Sequence, residues 1–306
     1  MRSYLRIHSP WAQLALFFCL LGAALLFTSI MGALLLVIKG FSITDIKNMD
    51  FNDPHTIGIL KLLQGLSTIT IFLLPAVVFA FIVFRHSQLY FLGIHKPAKN
   101  NAYLLALLIM VVSIPFVSWL GELNQHISLA KWMVDMEKDA GKQIDAFLKV
   151  RSNSDIAINL FVIALLPAIC EEICFRGALQ RILIHIFKSP WAGIILTAIL
   201  FSAFHMQFEG FLPRMFLGIL LGLLFWYTGS IWVNMLAHFF INALQVIAVL
   251  YYPKLVDENP SVPVFAVILS GLLMYAVFLI IKKQSRINFA KVYEFEEVNK
   301  HNQFIV

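Results

Sequence analysis

The chain has 306 residues, 60% of them hydrophobic and only 13% charged, with a mean hydropathy of +0.83. Soluble domains run at about 45–50% apolar and about 25% charged, so this composition excludes a soluble globular protein and indicates an integral membrane one. The net charge of +6 is no nucleic-acid signal, because most basic residues fall in short loops between apolar stretches.

A helix needs roughly 20 apolar residues to cross the hydrocarbon core. In chain order, eight stretches qualify or nearly so: 11–38, 57–84, 103–120, 156–180, 190–206, 211–228, 231–252 and 262–281. The fifth and sixth are the weakest, because Glu209, Pro213 and Arg214 crowd the turn between them. The first is too long for a signal peptide and lacks a small-residue cleavage site. Cys19, Cys170 and Cys174 all lie in apolar segments and provide no disulfide framework. The expected fold is all-α, a polytopic membrane bundle of about eight helices with an interfacial amphipathic segment. Its expected divisions are 1–155 (the first helices and the amphipathic segment), 156–252 (a catalytic core) and 253–306 (the last helix and tail).

That amphipathic segment is 121–155, where six acidic and five basic residues surround Leu129, Trp132, Met133 and Met136, then Ile144, Phe147 and Leu148. The spacing is helical, and Gly141 suggests a break between two short helices. A pair lying on the membrane surface is one reading; a lid over a substrate entrance is the other. Loop charge sets orientation. Arg2, Arg6, Arg85, Lys96, Lys99, Arg181, Lys188, Lys282, Lys283, Arg286 and Lys291 fall on one side of an eight-span chain. The opposite loops have mixed sign, as in Asp45-Ile46-Lys47 and Asp257-Glu258, so both termini are expected in the cytoplasm.

Three polar clusters interrupt the apolar stretches: Glu171-Glu172-x-x-x-Arg176, Phe201-x-x-x-His205 and His238-x-x-x-Asn242. An ionisable side chain at the bilayer centre costs at least ~2.5–3.5 kcal/mol, so each is a functional candidate by default. Adjacent helix positions point about 100° apart, which gives Glu171 and Glu172 different roles. Glu172 stands at i, i+4 to Arg176 with the acid on the N-terminal side, the better order for an ion pair. Glu171 has no local partner and must look to another helix; it is the candidate base. Pro167, four residues before it, should disturb the backbone, free the Ile163 carbonyl and open a wet cavity. Glu171 and His205 are each some 13–16 residues from the turn at 183–189, or ~20–24 Å, and can face each other across a hairpin. His238 and Asn242 share a helix face and offer two N–H donors, suited to an oxyanion.

Two chemistries fit. In one, Glu171 and His205 activate a water while His238 and Asn242 hold the oxyanion. In the other, Glu171, His205 and His238 bind Zn²⁺, which activates the water. There is no H-E-x-x-H, and Glu172 is already committed to Arg176, so the metal-free scheme is favoured. Cys170 and Cys174 read as small apolar packing. Gly218-x-x-x-Gly222 reads as a close-packing motif.

The ordered set E-E-x-x-x-R, F-x-x-x-H, H-x-x-x-N on successive membrane helices resembles the CPBP (Abi) intramembrane protease family, which includes the type II CAAX prenyl endopeptidases. Thr228-Gly229-Ser230-Ile231-Trp232 resembles that family's lead-in to the third motif, and the likeness covers about residues 156–250. It implies an intramembrane peptidase in which Glu171 and His205 activate water, His238 and Asn242 support the oxyanion, and Glu172 and Arg176 complete the first motif. Its members are often labelled metalloproteases, but no metal is required in the favoured scheme. The implied partners are the lipid bilayer and a membrane-embedded or membrane-delivered peptide or protein. The implied location is a bacterial inner membrane. The rival reading is a non-catalytic immunity or scaffold protein, or a proton-coupled transporter using Glu171 as carrier.

Overall fold

The structure, a computed structural model, describes residues 6–41, 50–84, 88–94, 98–150, 152–252, 261–285 and 287. Among the described residues nine helices carry the fold: α1 (Pro10–Ile38), α2 (Pro54–Val83), α3 (Asn100–Gln125), α4 (Lys131–Leu148), α5 (Asn153–Phe187), α6 (Pro190–Ala203), α7 (Phe211–Thr228), α8 (Ile231–Tyr251) and α9 (Val264–Gln284). A further single turn spans Gln88–Phe91. Local sequence sets several helix starts. Ser9-Pro10, Asp53-Pro54 and Ser189-Pro190 each place a side-chain oxygen on an unpaired backbone N–H and a proline in the first turn. Ser152 and Asp155 form a reciprocal capping box at the start of α5.

Among the described residues seven helices are long and apolar enough to cross a membrane, and the protein is a polytopic helical membrane bundle. The expected fifth span, 190–206, corresponds to α6, which has only 14 residues. At 1.5 Å per residue that is ~21 Å, short of a ~30 Å hydrocarbon core. It stops early because the chain turns at Phe204–Met206, where Met206 takes a left-handed φ of 52°. Conversely, α5 runs seven residues past its expected end at 180 and has 35 residues in all. Arg181, expected in a turn, is therefore inside this helix. It is buried, with its guanidinium 5.6 Å from the Phe91 ring and 4.9 Å from the Phe225 ring. Lys131–Leu148 is a single helix, so Gly141 does not break it. Arg2, Asp45, Ile46, Lys47, Arg85, Lys96, Asp257, Glu258, Arg286 and Lys291 lie outside the described residues.

Two helices contain a widened π turn just ahead of a proline: Ile69–Leu73 before Pro75, and Leu160–Leu165 before Pro167. Proline lacks an N–H and crowds the preceding turn, and a π turn absorbs that mismatch without ending the helix. A cavity of about 610 Å³ opens beside Leu166, between α2 and the start of α5. Its lining is mostly apolar, with Lys61, Lys149, Ser152 and Asp155 as polar members, and Glu171 is not part of it. A third π segment, Ile173–Gln180, follows Glu172 directly and contains no proline.

Helices α5, α6 and α7 pack closely because small residues line their contacts. A Cβ at Gly193 would lie 2.7 Å from the Ile184 backbone nitrogen, and one at Gly222 would lie 2.7 Å from Ile194 Cγ2. A Cβ at Gly218 would stand 3.0 Å from that of Ala198, so the G-x-x-x-G stripe of α7 is where it meets α6.

Candidate active site

Glu172 is fully buried on α5 and accepts from three donors. Its Oε1 lies 2.7 Å from Arg176 Nη1 and 2.8 Å from His238 Nδ1; its Oε2 accepts from Asn234 Nδ2 at 3.1 Å. A carboxylate taken out of water must be repaid by close, well-satisfied partners, and this one is. Arg176 is itself fully buried; its Nη2 donates to the Gly218 carbonyl at 3.1 Å and its guanidinium lies 4.5 Å from the Phe201 ring centre. Gln180, one turn on, donates to the Gly222 carbonyl at 3.1 Å. The two glycines thus bring α7 near enough for α5 to bond its carbonyls.

Glu171 points elsewhere. Its Oε2 is buried without a hydrogen-bond partner among the described residues, 4.0 Å from His205 Nε2 and 3.9 Å from His238 Nε2. The other ring nitrogens are engaged: His205 Nδ1 lies 2.8 Å from the Phe201 carbonyl, and His238 Nδ1 meets Glu172. A carbonyl can only accept, so His205 carries its proton on Nδ1 and presents the Nε2 lone pair to Glu171. The phenylalanine of F-x-x-x-H is a structural hub. Its carbonyl fixes His205, and its ring packs on Arg176, on His205 at 5.0 Å and on His238 at 5.8 Å.

Glu171, Glu172, Arg176, His205 and His238 therefore form one cluster, drawn from α5, α8 and the turn after α6. Asn242 lies one turn beyond His238, half-buried, and makes no hydrogen bond among the described residues. The sequence reading missed Asn234. It is completely buried, and its Nδ2 also donates to the Leu221 carbonyl at 2.6 Å. A signal existed: Asn234, His238 and Asn242 recur every four residues in an apolar span, and only the last two drew notice. Arg214, which the sequence marks only as crowding the turn, bonds Gln207 there.

The cluster's fit to a metal ion can be judged from its spacing. Ligands around a tetrahedral Zn²⁺ with bonds of about 2.0–2.2 Å sit about 3.3–3.6 Å apart. Glu171 Oε2 stands 3.9–4.0 Å from both imidazole nitrogens, and among the described residues no group of three His, Cys, Asp or Glu is close enough to hold an ion. The separations instead suit a water molecule bonded to the carboxylate and to an imidazole nitrogen. As placed, these residues do not fit the zinc arrangement.

The turn after α6 is braced from outside. Asn124, at the end of α3, donates to the Phe208 carbonyl and accepts from the Leu212 N–H, both at 2.8 Å. From α4, Glu137 Oε1 accepts from the Glu209 N–H at 2.8 Å, and Trp132 packs edge-on against Phe208. The amphipathic helix thus lies against the segment carrying His205.

Residues 153–244 match the family described as type II CAAX prenyl endopeptidase Rce1-like. A stretch of 90 residues is 33% identical to the uncharacterized protein YpbD of Bacillus subtilis (strain 168), covering 28% of this chain and 43% of that protein. The chain thus spans under half the length of this curated relative. No solved structure matches. The stretch 153–244, which holds every motif residue described above, is thus similar to the type II CAAX prenyl endopeptidase Rce1-like family.

Proposed function

We propose that the protein is an intramembrane endopeptidase that hydrolyses peptide bonds of membrane-embedded or membrane-delivered peptides. The observation that carries this reading is the buried Glu171 Oε2, unbonded and facing two imidazole nitrogens at 3.9–4.0 Å. A water in that gap can donate one proton to Glu171 and the other to His205 Nε2, leaving its lone pair to attack a scissile carbonyl. Glu171 then returns the proton to the leaving amine. His238 reaches the developing oxyanion through Nε2 only if the ring carries both protons, since Nδ1 is committed to Glu172. Glu172 is then the counter-ion of that imidazolium, while Arg176 and Asn234 hold the carboxylate in place. Asn242, one turn on, would supply the second oxyanion donor.

No step here passes through a metal. The test is purified protein in detergent with a library of membrane peptides, wild type against Glu171→Gln, with and without chelator. Glu171→Gln should lower turnover at least a hundredfold while peptide still binds, and chelator should leave the wild type active. A non-catalytic binder would be indifferent to the substitution. Activity lost to chelator and restored by zinc would replace the metal-free scheme.

A further inference from the structure

Arg214 stands in the first turn of α7 and takes no part in the chemistry described so far. Its position follows from helix register. Arg176 bonds the Gly218 carbonyl and Gln180 bonds the Gly222 carbonyl, so α5 and α7 run parallel and in step. One turn earlier, the same register sets Arg214 level with Glu171 and Glu172. The guanidinium is held from below by Gln207, whose side-chain oxygen accepts from Nη1 at 3.2 Å and whose carbonyl lies 3.4 Å from Nη2. Gly210 makes room for it: a Cβ there would collide with Nη2. The charges of Glu137 and Glu171 are felt at this site, yet none of the ion pairs among the described residues includes Arg214. A half-buried guanidinium, oriented by neutral acceptors and lacking a carboxylate of its own, is placed to receive one.

We propose that Arg214 is a specificity-determining residue that pairs with a carboxylate of the bound peptide beside the scissile bond. The carboxylate has two sources, the peptide's own C-terminus or an acidic side chain. The inference rests on the peptidase reading only in treating the cluster as a peptide site. A guanidinium that served merely to balance Glu171 would not distinguish one peptide from another of equal shape.

The experiment measures binding, by fluorescence anisotropy in detergent, of three labelled versions of one hydrophobic peptide to full-length Glu171→Gln protein. One version ends in a free carboxylate, one in an amide, and one in an amide with an aspartate near the end. The free acid is expected to bind about tenfold or more tightly than the plain amide if the terminus is read. If a side chain is read, the aspartate amide matches or exceeds it. In either case Arg214→Gln abolishes the preference, and Arg214→Lys, which keeps the charge but loses the fork, retains part of it. Equal binding of all three peptides, or a preference that survives Arg214→Gln, overturns the proposal. Should the wild type cleave none of them while the preference holds, the peptidase reading fails and the Arg214 assignment stands; cleavage without preference gives the reverse.

Discussion

Glu171 and Glu172 are neighbours in sequence with opposite local economies, and this separates their substitutions. Glu172 is bonded by Arg176, His238 and Asn234, whereas Glu171 Oε2 is bonded by nothing among the described residues. Glu172→Gln leaves the buried Arg176 guanidinium without its counter-charge, a change that costs about 3–5 kcal/mol when one partner of a buried pair is removed. Glu171→Gln removes a charge that has no bonded partner and should leave the melting temperature unchanged or raised. Thermal unfolding of the two variants in the same detergent checks this; equal depression in both would contradict the division of roles. The five charged or ionisable members of the site were legible in the sequence because charge inside a span is too costly to be incidental. Asn234 was not legible, because a lone amide in an apolar helix draws notice only once the carboxylate it serves is known.

At the level of helices, the α5–α6–α7 contacts depend on where a methyl group would land. At Gly193 an added Cβ meets the Ile184 backbone at 2.7 and 2.9 Å, and backbone cannot rotate away. At Gly222 it meets the ends of two side chains, Ile194 Cγ2 at 2.7 Å and Gln180 Oε1 at 2.8 Å, which can move at the cost of the Gln180 bond. At Gly218 the nearest atom is Ala198 Cβ at 3.0 Å, and a shift of a few tenths of an ångström suffices. Alanine should therefore destabilise in the order Gly193, Gly222, Gly218, within the range of about 1–3 kcal/mol typical of overpacking. Melting temperatures of the three variants rank them, and Gly193→Ala as stable as the wild type would refute the order. Gly218 and Gly222 announced themselves by their spacing. Gly193 did not, since its close neighbour is nine residues back in α5 and only the hairpin brings them together. The early end of α6 was hidden for a related reason: the apolar run continues through Phe204, and hydropathy does not register the left-handed turn at Met206.

For the whole molecule, the question is how a 14-residue helix affects the path of the chain across the bilayer. The contacts settle which helix ends share one end of the bundle. The Arg6 N–H bonds the Val83 carbonyl, Ile231 N–H bonds the Gly93 carbonyl, and Asn101 bonds Gln284. The start of α1, the ends of α2 and α9, and the starts of α3 and α8 therefore lie together, and Arg6, Lys99, Lys282 and Lys283 lie with them. At the opposite end, Asn124 and Glu137 grip the turn between α6 and α7. If α6 and this turn together complete a traverse that the helix alone is too short to make, the chain crosses eight times with seven long helices. On that path both termini are expected on one side, which the positive-inside rule would make cytoplasmic. Epitope tags on the two ends, probed in sealed inverted vesicles and in intact cells, should both be reached by protease in the vesicles and neither in the cells. Tags of opposite accessibility would mean that α6 and its turn do not cross.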